Sequence, residues 1–142
     1  MTDPVPLETF QRIVRGAEDD IRAIFYRRHK KQVEQAARRA HARFGCTAIV
    51  VNADPFAALL VGRSLARETG APLVSDLRDP WAPCELRRPL RSPLQRAIVD
   101  GLERGVMEAS AFVVLNTDEA RDAYRTRYAD LPADRFVTLR NH

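Results

Sequence analysis

Cysteine and histidine are scarce in this sequence, at two and three residues. Cys46 and Cys84 form no CxxC pair and have no histidine cluster beside them. The roughly four ligands of a structural zinc site are therefore not to be had, and no metal site is expected. Cys46 opens an apolar run and reads as a small buried residue, whereas Cys84 follows a proline in a loop. A reducing location disfavours a disulfide between them. His29, His41 and His142 are too scattered for a triad, and Ser64, Ser75, Ser92 and Ser110 lack a nucleophile-elbow context. No apolar run nears the ~20 residues of a membrane-spanning helix. The opening MTDPVPLETF has no basic region leading into an apolar stretch, so no secretory signal is expected and the cytoplasm is the expected location. Internal repeats and low-complexity tracts are absent.

The 142 residues, 45% of them hydrophobic, suit one domain with a true core. The net charge of +4 is unevenly placed. Residues 1–45 hold all of the excess, and residues 46–142 balance to zero. A neutral remainder argues against nucleic acid as a partner. In residues 7–25, Leu7, Phe10, Val14, Ala17, Ile21, Ile24 and Phe25 recur at helical spacing. Val33, Ala36, Ala37, Ala40 and Phe44 continue the pattern to a stop at Gly45. Residues 1–45 are read as a helical N-terminal extension.

From Cys46 the period changes. Thr47–Ala53 is a β-branched run without polar alternation, as expected of a strand covered on both faces. Asp54-Pro55 reads as a cap with proline at the first helical position. A helix is expected from Phe56 to Glu68, ended by Gly70. A second strand is expected at Pro72–Arg78, a loop at Trp81–Pro93 and a helix at Leu94–Ala109. A third strand at Ala111–Asn116, a helix capped by Thr117 and running to Tyr128, and a fourth strand at Phe136–Asn141 complete the series. Such alternation implies a parallel sheet with helices on both faces, and ligands then gather at the carboxyl ends of the strands. The fold expectation is α/β: a partial Rossmann-like parallel sheet with flanking helices, spanning residues 46–142 and following the helical extension.

The sharpest motif is Asp76-Leu77-Arg78-Asp79-Pro80-Trp81. An interior parallel strand should be apolar, yet this one ends in three charges. Charges at that depth are costly unless paired or hydrogen-bonded. Arg78 offers a planar fork of donors to a carboxylate or phosphate. Trp81, the only tryptophan, would either present a flat face to a sugar ring or plug the core. The plain alternative for the charges is a structural ion-pair cluster.

With the strand and proline-initiated helix at Val50–Pro55, the lead-in Gly70–Ser75 and the hexad Asp76–Trp81, the chain resembles the N-terminal domain of family 4-like glycosyltransferases. Leu102-Glu103, the run Ala109–Val114 and the strand ending at Asn141 match later parts of that pattern. His142 stands where the family has glycine, and no early strand with a glycine-rich loop precedes residue 46. The resemblance covers roughly residues 46–142. It implies the two-domain GT-B architecture and sugar transfer from a nucleotide-sugar co-substrate to an acceptor hydroxyl, without a bound metal or other cofactor. The C-terminal domain that binds most of the donor is not in this sequence, so the chain is expected to be part of a longer enzyme. Asp76, Arg78, Asp79, Trp81, Asn116 and Asn141 are its expected cleft residues, with polar contacts from Arg78 and Asp79 and packing from Trp81; no catalytic base is assigned.

Three features stand outside that reading. Arg27–Lys31 is the one basic cluster; it would suit a peripheral contact with an anionic membrane and a lipid-linked acceptor, though a solvated helix face explains it more simply. Asn116-Thr117-Asp118 at a strand-to-helix turn would either cap the helix or bind an anion. An apolar stripe from Leu7 to Phe25 with little sheet to cover it would make the chain a non-catalytic interaction module instead.

Overall fold

The computed structural model describes residues 31–53, 56–86 and 88–140. The helical stripe at residues 7–25, the cap at Asp54-Pro55, most of Arg27–Lys31 and the strand end at Asn141 lie outside them.

Four strands carry the fold: β1 (Ile49–Asn52), β2 (Leu73–Leu77), β3 (Ser110–Leu115) and β4 (Phe136–Thr138). Helix α1 covers residues 31–44 and ends at Gly45, whose φ of +58° is the left-handed stop that glycine tolerates. Helices α2 (Ala57–Thr69), α3 (Pro93–Ala109) and α4 (Asp118–Arg127) connect the strands. Gly70 ends α2 in the left-handed conformation, with its N–H returned to the Ala66 carbonyl. Thr117 caps α4, its hydroxyl accepting from the Ala120 N–H at 3.1 Å. Ser92 and Gln95 form a reciprocal capping box at the start of α3. The loop before it holds a short 3-10 turn at Arg88–Leu90. The strands are shorter than the sequence runs, because pairing stops where a neighbour stops.

The sheet is parallel throughout, in the order β1-β2-β3-β4. A right-handed crossover that always advances in one direction leaves every connecting helix on the same face. Leu59 of α2, Val106 and Met107 of α3 and Tyr124 of α4 accordingly share one core with Leu77, Val113, Leu115 and Phe136. The opposite face carries Val50, Val74, Phe112 and Val114. Val50 is 71% exposed and Phe112 50%. The expected α/β class and parallel sheet are present, but the connecting helices do not lie on both faces. Apolar runs without alternation cannot distinguish a strand covered twice from one covered once.

Gly62 lets α2 approach β1. A Cβ there would stand 2.5 Å from Val51 Cγ2 and 3.0 Å from Leu73 Cδ1. Helix α1 joins the body through Arg38, whose guanidinium meets the Glu68 carboxylate at 2.8 Å.

Candidate functional site

The strand carboxyl ends form one edge of the sheet. β1 ends at Asn52 and β2 reaches Asp76 in register beside it, with Val114 of β3 next in the row. Asp76 therefore points to the open face while Leu77 points into the core. The Asn52 amide approaches the Asp76 carboxylate at 3.5 Å. Arg78 and Asp79 follow in a bend, and both are exposed. Neither makes a hydrogen bond or ion pair with another described residue. The ion-pair cluster that would have explained these charges structurally is not formed among the described residues. Two full charges instead sit in solvent at the sheet edge, a guanidinium and a carboxylate one residue apart.

Trp81 is 5% exposed. Its indole stacks on Phe56 with ring centroids 5.4 Å apart and planes 2° from parallel. Of the two roles open to it, the structure has the core plug: its ring has no free face for a sugar. Asn116, half-buried after β3, precedes the Thr117 cap. The first turn of α4 already carries a carboxylate, Asp118, which meets Arg121 at 2.8 Å and Arg140 at 3.0 Å. Hydrogen bonding from Thr138 first, and then Arg140, holds the Asp118 carboxyl below its usual range. Capping, rather than anion binding, is what this turn does.

A buried carboxylate anchors the loop that follows the exposed charges. Glu103, fully buried in α3, accepts from the Ala82 N–H at 2.7 Å and from the Tyr124 hydroxyl at 2.8 Å through Oε2. Its Oε1 accepts from the Tyr128 hydroxyl and lies 3.4 Å from Arg127 Nε. The Tyr124 hydroxyl in turn accepts from the Trp81 N–H at 3.0 Å. Arg91 and Arg88 each donate to a carbonyl of the same loop, those of Trp81 and Ala82, at 3.4 Å. Arg88 also pairs with Asp100 at 3.0 Å, and Arg127 shares that carboxylate at 2.8 Å. Burial works to raise the Asp100 carboxyl, but the hydrogen bond from Arg88 and the charge of Arg127 outweigh it and leave it below its usual range. Arg78 and Asp79 thus hang on a short bend between two fixed points, Leu77 in the core and Trp81 in the clamp. Held at both ends, the backbone of the bend is restrained, while the two exposed side chains keep their rotamer freedom.

Sequence reasoning missed Glu103 as the centre of this clamp. Within a helix, a glutamate among Leu102 and Arg104 reads as an ordinary surface charge. The available signal was its spacing, since Val99, Glu103, Val106 and Met107 fall on the core face of α3.

Burial, reinforced by the nearby Glu103 charge, raises both the Tyr124 and the Tyr128 hydroxyl well above the ordinary tyrosine value. The unfolded chain would begin losing these protons near pH 10, while the folded one keeps them. Stability is therefore complete below about pH 10 and falls as pH rises beyond it, by ~1.4 kcal/mol per pH unit for each group protonated only in the folded state. Thermal melts between pH 9 and 11 check this. The decline should be shallower in Tyr128→Phe than in the parent, and a flat profile in the parent would remove the argument.

Among the described residues, no group of three or more His, Cys, Asp or Glu side chains is placed to hold a metal ion, and no helix is long and apolar enough to cross a membrane. Both cysteines are free and half-buried. What fold and edge define together is a class: a small α/β protein with a four-stranded parallel sheet, bearing solvent-facing charges after β2. Compared with protein-family models, curated proteins and solved structures, the chain matches none.

Proposed function

We propose that this chain belongs to the N-terminal, acceptor-side part of a nucleotide-sugar-dependent glycosyltransferase of the two-domain GT-B kind. The observation that carries the reading is the pair Arg78 and Asp79, exposed and without a partner among the described residues at the carboxyl end of a parallel strand. Ligand chemistry in open α/β sheets concentrates there, and the hexad Asp76–Trp81 is the stretch that resembles the glycosyltransferases. The strand order runs β1-β2-β3-β4 without reversal. The described sheet therefore has no switch-point crevice of its own, and the reading needs a second wall, as in an interdomain cleft.

In the reaction, an acceptor hydroxyl oxygen would bond to the anomeric carbon as the bond to the nucleoside diphosphate breaks, and the hydroxyl proton would leave with a base. Arg78 would supply a fork of donors to an anionic group of the acceptor or donor. Asp79 and Asp76 would accept from sugar hydroxyls, with Asn116 further along the same edge; the resemblance adds Asn141, which lies outside the described residues. No base is assigned, and the only co-substrate called for is the nucleotide sugar. A cytoplasmic enzyme using a lipid-linked acceptor would also give Arg27–Lys31 a use at the inner membrane face.

The test is a transfer assay with a panel of nucleotide sugars on the full product of the reading frame that carries this sequence. Arg78→Ala is expected to lower transfer by at least roughly tenfold, the loss typical of one charged contact, while leaving the melting temperature in place because the side chain is exposed. Absence of transfer from every donor, or unchanged turnover in Arg78→Ala, would sink the reading.

A second reading, a non-catalytic interaction module, is favoured by the exposed Val50 and Phe112 on the sheet face that no described helix covers. Sedimentation that showed concentration-dependent association, abolished by Phe112→Asp, would support it over catalysis.

A further inference from the structure

The second face of the sheet is apolar, and no described element covers it. Val50, Val74 and Phe112 form one row across β1, β2 and β3, and Val114 and Val137 lie side by side in the next. Val50 and Phe112 are well exposed. Parallel sheets are as a rule covered on both faces, because apolar side chains gain by leaving water.

The chain itself carries a matching surface. In residues 7–25 the apolar side chains from Leu7 to Phe25 recur at helical spacing, while Arg12, Arg15, Asp19 and Arg22 fall away from that stripe. As a helix these nineteen residues would be about 28 Å long and about 10 Å wide. Four strands spaced ~4.8 Å apart and three to six residues long make a face roughly 14 Å wide and 10–20 Å long. One helix suffices to cover its apolar rows. The connection is short enough. Glu34 and Arg38 of α1 lie against Val61, Ser64, Leu65 and Glu68 of α2. Helix α1 thus runs beside α2 and, like it, toward the amino edge of the sheet, where the chain turns into β1. It begins near the carboxyl edge, next to β1, which is an edge strand. The stretch from Phe25 to Lys31 reaches up to about 21 Å when extended, enough to round that one strand.

We propose that the apolar stripe of residues 7–25 docks on this open face, so that the segment and the sheet form one folded body. A second copy is the poorer occupant. The face amounts to a few hundred Å², short of the ~800 Å² per partner of a stable interface. The stripe, by contrast, is tethered beside the face, which raises its local concentration above that of any free partner. The inference is independent of the proposed sugar transfer. It gives the face an occupant from within the chain in place of the association partner of the second reading.

Photo-cross-linking of the full chain tests it. With p-benzoylphenylalanine in place of Phe112, irradiation is expected to join that position to residues 7–25 of the same molecule, as mapped by peptide mass spectrometry. The same group in place of Ile98, exposed beside Leu94 on the outer side of α3, should reach that segment at least roughly tenfold less often. Val14→Asp/Ile21→Asp puts two charges into the stripe and should cut the link from position 112 by a similar factor. Melting curves show whether this double variant folds; if it does not, the links from positions 112 and 98 in the otherwise unaltered chain decide. Absence of a link from position 112 to residues 7–25 would overturn the proposal and leave the stripe to another surface, such as the exposed Val33 and Phe44 of α1. An equal yield from position 98, or an undiminished link in the folded double variant, would overturn it as well. A link from position 112 that joins two chains and disappears on dilution would give the face to a second copy instead.

Discussion

Glu103→Ala is expected to lower stability by about 3–5 kcal/mol, the cost of removing one partner from a buried charged network. The carboxylate lies between α3, α4 and the loop after β2, and its removal leaves the Ala82 N–H and the Tyr124 and Tyr128 hydroxyls without their acceptor. Each buried donor left unmade costs about 1–3 kcal/mol. Arg127 would also lose a nearby countercharge, although it keeps Asp100. Denaturant unfolding of parent and variant measures the difference. Glu103→Gln retains an acceptor oxygen and should lose distinctly less. Equal stability of Glu103→Ala and the parent would mean that the network does not hold the loop.

Trp81→Ala is expected to cost ~3–5 kcal/mol, the range for deleting a large aromatic side chain from a core. The indole is stacked on Phe56, and the loop on either side is fixed by hydrogen bonds, so the surroundings have little room to collapse into the space. Unfolding by denaturant gives the number. The sole tryptophan supplies a second readout, since a buried indole should emit at short wavelength and resist acrylamide quenching. Free quenching, or a loss under 1 kcal/mol, would return Trp81 to the surface and restore the sugar-platform role that burial now denies it.

These two residues show where the sequence ceases to be legible. Trp81 was visible as a lone aromatic beyond a strand end, but whether its ring faced out or in depended on Phe56 and Tyr124, which lie 25 residues before it and 43 after it. Glu103 gave still less warning. A glutamate in a helix carries the same local signature whether it faces solvent or three donors, and its donors come from a loop 21 residues earlier and a helix 21 and 25 residues later. The exposed pair Arg78 and Asp79 was legible as charges at a strand end, compatible either with solvent-facing groups or with an ion-pair cluster. Only the placement of neighbouring strands, which brings Asn52 to Asp76 and nothing among the described residues to Arg78, separated the two.

By itself the sequence determined what depends on near neighbours. The alternation of apolar runs with capped helical stretches set the α/β class, Thr117 and Gly70 marked helix ends through their own side-chain and backbone chemistry, and the charged hexad marked the close of β2. Tertiary structure decided everything that depends on which face a run presents. It placed the three connecting helices on one side of the sheet, turned Trp81 inward, buried Glu103 and left the outer stripe of α3 apolar in water. The physical reason is one of range. Caps and turns are satisfied within about four residues of chain, whereas burial and charge pairing are settled by contacts between segments that only the packed fold brings together.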